Sequence, residues 1–144
     1  MNDISSRNGK KILELKVYLD DSLEVKGRTG QATMVIFHGE VESEWFCGKT
    51  LSNSVDTQTI WPGQPWQVSA RYILEGTDKD GNPCRMFVEN NGGMTDNGEG
   101  IYTIPRILTD SAALQWLEDA DLYGRVEGKE DYISIKIFQD EGDR

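Results

Sequence analysis

Residues 66–92, WQVSARYILEGTDKDGNPCRMFVENNG, constrain the fold more than any other stretch of the chain. The first arm alternates. Trp66, Val68, Ala70, Tyr72 and Leu74 share one face, and Gln67, Ser69, Arg71, Ile73 and Glu75 share the other. Asp78-Lys79-Asp80-Gly81-Asn82-Pro83 is dense in turn formers. A register that sets Ile73 against Phe87 also sets Arg71 against Glu89 and Glu75 against Arg85. Opposite charges facing each other across two antiparallel strands contribute roughly 0.2–1 kcal/mol per pair. A one-residue slip would lose both pairs and exchange the two faces. An antiparallel hairpin in this register is expected.

Length and charge bound the rest. At 144 residues one domain is expected, over residues 11–139, between a flexible N-terminal segment (residues 1–10) and an acidic tail (residues 140–144). The net charge of -10 argues against nucleic acid as a partner, because phosphate binding needs clustered Lys and Arg. Residues 1–11 are polar and lack the apolar core of a secretory signal. No run approaches the roughly 18 apolar residues that a membrane helix needs, so no membrane partner is expected. The two cysteines, Cys47 and Cys84, are far apart and form no C-x-x-C motif. That usage fits a cytoplasmic protein, and whether the two pair stays open.

Most of the remaining chain reads as strands. Residues 11–19, 33–42, 45–51, 56–61, 101–108, 122–126 and 132–139 carry apolar residues in alternation or in short runs, and residues 23–26 form a short return. Pro62-Gly63-Gln64-Pro65 interrupts the pattern, and Pro105 marks an edge or a bulge. Residues 90–100 (NNGGMTDNGEG) read as a long loop. One helix is expected near residues 111–118, with Asp110 or Ser111 as its N-cap and Leu114 and Leu117 on one side. About eight to ten short strands with one short helix predict an all-β, antiparallel β-barrel, which leaves few exposed edges.

The chemistry is sparse. The single histidine, His38, rules against a His-based metal site, and neither a metal nor a cofactor is expected. A histidine at this place in a strand is expected in the core or at the barrel rim; the sharper reading makes it a titrating group at the mouth. No nucleophile elbow, P-loop or dinucleotide fingerprint is present. Polar residues within strands are the better indicator. Asp56 and Gln58 share a face, and Arg71 and Glu89 meet across the hairpin. If that polar face is external, these are ordinary surface pairs. If it is internal, they line a ligand cavity and take on acid or base roles.

The chain resembles a family. F-x-G-E-V (Phe37 to Val41), D-x-Q (Asp56 to Gln58), A-R-Y-x-L-x-x-x-D-x-D-G (Ala70 to Gly81), F-V-x-N-x-G (Phe87 to Gly92), Trp116-Leu117 and G-R-V-E-G (Gly124 to Gly128) occur in an order similar to that of the domain of unknown function 3237 family, also called uncharacterised protein family 0311. The likeness runs from about Val35 to Phe138, and the order and spacing of the motifs carry it. It implies a compact antiparallel β-barrel and no established activity. The family often has Gly-Gly before Asp-Trp-Gln; here the segment is Asn53-Ser54-Val55-Asp56-Thr57-Gln58, which keeps the Asp and the Gln. The resemblance carries over Asp56, Gln58, Arg71 and Tyr102 as pocket residues.

Three functional classes follow. The first is a barrel that binds a small organic molecule through Asp56, Gln58, Arg71, Glu89 and Tyr102, with residues 90–100 at its mouth. The second is a cofactor-free isomerase, lyase or cyclase, with Asp56 or Glu89 as base and Arg71 stabilising negative charge. The third is a homo-oligomer without pocket chemistry, its subunits packed through exposed Trp and Tyr. Catalytic residues stay unassigned.

Overall fold

The computed structural model describes residues 9–95, 98 and 100–141. Among these, nine antiparallel strands form one sheet: β1 (Gly9–Lys26), β2 (Gln31–Glu42), β3 (Phe46–Thr50), β4 (Ser54–Ile60), β5 (Gln67–Asp78), β6 (Pro83–Met94), β7 (Ile101–Thr109), β8 (Leu122–Gly128) and β9 (Ile133–Asp140). Their order is β1-β9-β8-β7-β6-β5-β3-β2-β4. Further pairing of β1 with β2 and of β5 with β4 joins the ends of that sequence, so the sheet closes into an antiparallel barrel. β3 and β4 occupy one position in the wall. β3 lies between β2 and β5 at one end, and β4 takes its place toward the other.

The central hairpin has the expected register. Arg71 opposes Glu89, Ile73 opposes Phe87 and Glu75 opposes Arg85. The Arg71 Nε–Glu89 Oε2 and Arg85 Nε–Glu75 Oε2 distances are 3.2 and 2.8 Å. Val68, Ala70, Tyr72 and Leu74 are buried, so the apolar face of β5 looks into the barrel and the charged face looks out. The turn is organised by Asp78. One carboxylate oxygen accepts hydrogen bonds from the backbone N–H groups of Asp80 and Asn82, and the other accepts one from the Ser111 hydroxyl. These bonds, the Ser111 bond first, hold the Asp78 carboxyl below the usual aspartate range. Gly81 takes the left-handed conformation that the turn requires, with φ +82°.

β1 is longer than expected, because the two predicted segments are one strand with two bulges. Ile12 falls in the first, so Ile12 and Leu13 are both buried although adjacent. Asp20 falls in the second, and its carboxylate meets Nδ1 of His38 at 2.9 Å. Gly9 and Lys10, expected in a flexible segment, already pair with Asp140 and Gln139. The remainder of that segment and the end of the acidic tail lie outside the described residues.

Residues 90–100 are not one loop. β6 continues to Met94 in register with β7, and beyond it the Thr95 N–H donates to the Gly100 carbonyl. Asn90-Asn91-Gly92-Gly93 reads as loop composition because glycine is scarce in strands. Here a glycine meets a close backbone approach: a Cβ built on Gly92 would strike the Tyr102 carbonyl oxygen. Pro105 sits where β7 has lost β8 as a neighbour, since those strands pair only over Ile101, Tyr102 and Thr103. A 3-10 helix, Ala112–Glu118, packs in this region. Ser111 holds its N-cap position, but its hydroxyl donates to Asp78 and makes no capping bond. Leu114 and Leu117 are buried and join Leu13, Phe46, Leu74, Met86 and Ile137 in the core.

Cys47 and Cys84 are free thiols on β3 and β6, with β5 between those strands. No helix among the described residues is long and apolar enough to cross a membrane.

Leu117→Ala is expected to cost about 2–5 kcal/mol through lost burial and the cavity it leaves. Gly92→Ala should cost about 1–3 kcal/mol, because the added methyl meets backbone, whereas Gly128→Ala, with open space at its Cβ, should stay within about 0.5 kcal/mol. Urea unfolding of the three variants measures all of these.

Candidate functional site

An eight-stranded wall leaves an interior that side chains nearly fill. Here the filling is uneven. Around the helix the inward residues are long and apolar, and they pack fully. Toward the end where Leu19, Ile101 and Ile133 lie, inward positions carry smaller or polar residues, and a cavity of about 150 Å³ remains. Its wall is mainly apolar, with Val17, Phe37, Val68 and Ile135 among the lining side chains. Four polar residues interrupt it: Asp56 and Gln58 from β4, Asn90 from β6 and Thr103 from β7.

Register explains their meeting. Asp56 pairs with Ala70, Ala70 with Asn90, and Asn90 with Pro105, so these four residues form one row across the wall. Gln58, Val68, Gly92 and Thr103 form the next row.

The polar groups of this cavity are incompletely paired. Gln58 Nε2 donates to Asp56 Oδ2 at 2.9 Å. Asp56 Oδ1, Asn90 Oδ1 and Thr103 Oγ1 are buried without a hydrogen-bond partner. The Tyr72 hydroxyl, on a ring set edge-on to Phe37, is likewise buried and unpaired. Buried polar atoms are paired in the great majority of cases, and an unpaired one costs about 1–3 kcal/mol. Of the five buried unpaired side-chain atoms among the described residues, four belong to Asp56, Tyr72, Asn90 and Thr103, and the fifth is Trp45 Nε1 beside Trp116.

Burial raises the Asp56 carboxyl above the usual aspartate range, against the opposing pull of the Gln58 side chain and the Ser69 backbone N–H. Burial also raises the Tyr72 phenol, so its hydroxyl keeps its proton at every physiological pH.

The five residues expected in one concave site separate into two groups. Asp56 and Gln58 face the cavity. Arg71 and Glu89 lie on the outer face, paired with each other, and the Arg71 side chain is 64 % exposed. Tyr102 alternates with the inward Ile101 and Thr103, and it lines an outer groove with Trp66, Ser69 and Asn91. The reason is the phase of β5 and β7: their apolar residues claim the interior, so the alternate positions go to solvent. Tyr72 is core, and Trp61 is exposed. His38 is exposed outside the barrel, stacked on Tyr18 and bonded to Asp20, so it is neither a core nor a mouth residue. Asn90 and Thr103 were missed. Their signal was phase: each stands at an alternating position otherwise held by apolar residues, Val88 before Asn90 and Ile101 before Thr103.

Among the described residues no three His, Cys, Asp or Glu side chains gather as a metal site would need. None of the described lining residues is cationic.

The fold has solved counterparts. A protein of unknown function from Clostridium acetobutylicum ATCC 824 superposes with TM-score 0.73 at 19% identity, covering 93% of this chain and 99% of that one. A β-barrel-like protein from Acinetobacter baumannii AYE gives 0.69 at 15% identity, with 92% and 94% covered. A protein described as an enzyme from Penicillium herquei gives 0.71 at 13% identity, with 94% and 95% covered. These likenesses bear on fold alone. No curated protein matches the sequence. A family model does match, over residues 9–139, and its span takes in every described strand almost to its end. The chain belongs to the family described as protein of unknown function (DUF3237).

Proposed function

We propose that the barrel interior binds a small, uncharged, largely apolar organic molecule that carries hydrogen-bond donors. The observation that supports this reading is the convergence of Asp56 Oδ1, Asn90 Oδ1 and Thr103 Oγ1, all buried and unpaired, on residues lining one apolar cavity. Volume sets the size. An apolar cavity of this order accommodates benzene. Chemistry sets the polarity. Asp56, when ionised, only accepts hydrogen bonds, and Thr103 accepts as well as donates. A phenol or enol hydroxyl supplies a matching donor. A carboxylate ligand would meet Asp56 with no cation beside it to offset the repulsion.

A second reading is catalytic, and the raised Asp56 carboxyl favours it. A carboxylate with a raised pKa in an apolar cavity is a fit base for an acidic C–H or O–H proton, as an isomerase, lyase or cyclase without cofactor requires. Arg71 lies outside the barrel, so charge developing on the substrate would fall to hydrogen bonds from Asn90 and Thr103.

Thermal unfolding with added ring compounds tests the binding reading. Phenol should raise the melting temperature and benzoate should not, since a ligand that binds only the folded state stabilises it by mass action. If no neutral ring compound shifts the transition, the reading fails. Arg71→Ala should change stability by less than about 1 kcal/mol and leave the phenol shift intact.

Asp56→Asn tests the site through pH. The folded state holds the Asp56 proton more tightly than the unfolded state does. The fold therefore gains stability as pH falls through the raised value, and the buried charge weighs against folding at neutral pH. Asp56→Asn should raise the melting temperature at neutral pH, and the gain should vanish below the ordinary aspartate range. A variant less stable than the parent across that whole pH range would contradict the assignment of Asp56 as a carboxyl whose charged form burial disfavours.

A further inference from the structure

We propose that the outer face of β5, β6 and β7 is a homodimer interface, on which a second copy packs face to face about a two-fold axis lying along the row Ile73–Phe87–Leu108.

The row is a product of register. Ile73 opposes Phe87, and Phe87 opposes Leu108. The three stand on the outside of the barrel, where Ile73 is 40% and Leu108 60% exposed. They line a shallow depression with Thr109 and Glu118. A contiguous apolar row between two charged rows is unusual for a face that meets only water.

Two charged rows flank it, each about 7 Å away along the strands. On one side stand Arg71, Glu89 and Arg106, one from each strand. On the other stand Glu75 and Arg85, followed just past the end of β7 by Asp110, whose carboxylate accepts the Arg85 backbone N–H. In order from β5, the first row reads positive, negative, positive. The second reads negative, positive, negative. A two-fold axis along the apolar row exchanges these rows and keeps the strands in order. Arg71 of the second copy then comes over Glu75, its Glu89 over Arg85 and its Arg106 over Asp110. Each contact occurs twice by symmetry. The apolar residues lie on the axis, each against its own counterpart. An axis along β6 would instead set Glu89 over Glu89 and Arg71 over Arg106, which are like-charge contacts. Charge thus selects a single arrangement.

The rows are ordered before a partner arrives. The pairs Arg71–Glu89 and Arg85–Glu75 hold their side chains flat along the sheet. Packed sheets stand about 10 Å apart, a gap that facing Arg and Glu side chains can bridge. Three apolar residues make a small interface core, so the dimer is reversible and depends on salt.

Sedimentation velocity on charge-exchanged variants tests the arrangement. The parent protein should pass from monomer to dimer with rising concentration at low salt and revert at high salt. Glu89→Arg alone sets Arg against Arg85, and Arg85→Glu alone sets Glu against Glu89, so each variant should stay monomeric. Mixed in equal amounts they should dimerise again, at least about tenfold tighter than either alone, because both cross-contacts are then opposite in sign. Leu108→Lys should stay monomeric alone and in every mixture. Circular dichroism confirms that each variant is folded. If a Glu89 variant loses its fold, Arg71→Glu mixed with Glu75→Arg repeats the test on the neighbouring contact. A parent that stays monomeric at every concentration overturns the proposal. So does a mixture that fails to recover, or a dimer that survives these substitutions and is lost instead in Val25→Lys on the ribbon of β1 and β2.

Discussion

The ladder between β5 and β6 is the constraint on which the rest depends. It runs without a break from Gln67 opposite Gly93 to Thr77 opposite Pro83. Two opposite-charge pairs mark its register, and that register fixes which residues of both strands face inward. β5 passes the phase to β3 and β4, and β6 passes it to β7. A slip of β6 by one residue against β5 would send Met86 and Val88 into water and bring Arg85 and Glu89 inside. The desolvation of two charges could not be repaid in so small and apolar an interior. Burial thus enforces the register that the two surface pairs mark, far more strongly than their own modest energy does.

Within the closed wall the two ends differ. Around the 3-10 helix, Leu114 and Leu117 join Phe46, Leu74 and Met86 in a continuous apolar core. Toward the other end the inward positions include Ala70, Asn90 and Thr103, and these leave space. The first end supplies stability and the second gives some of it up. Three polar atoms without partners, one of them on a carboxylate that burial pushes toward protonation, are a cost that a purely structural barrel would avoid by carrying apolar residues there. Such a concentration of unmet polarity in one cavity is the physical content of the binding proposal.

The outside of the same strands has a separate logic. Because neighbouring residues point to opposite faces, β5, β6 and β7 carry an interior pattern and an exterior pattern at once. The interior pattern sets the cavity. The exterior one sets an apolar row between two charged rows of opposite order. Neither interferes with the other, so cavity residues and outer-face residues can be altered independently.

The sequence by itself determined the fold class, the central hairpin and its register, since these depend on period, turn composition and the sign of charges at known offsets. It also marked Asp56 and Gln58 as residues to follow. Tertiary structure decided which face of the hairpin lines the barrel, and so removed Arg71, Glu89 and Tyr102 from the cavity. Alternation reports that two faces differ; only closure of the sheet reports which is inside. Tertiary structure also brought in Asn90 and Thr103, whose sequence neighbours gave them the look of loop and strand-edge residues. Their roles arise from ladder partners on β5 and β8, distant in sequence. Local pattern carries direction along a strand, whereas a cavity is a property of several strands meeting at one depth.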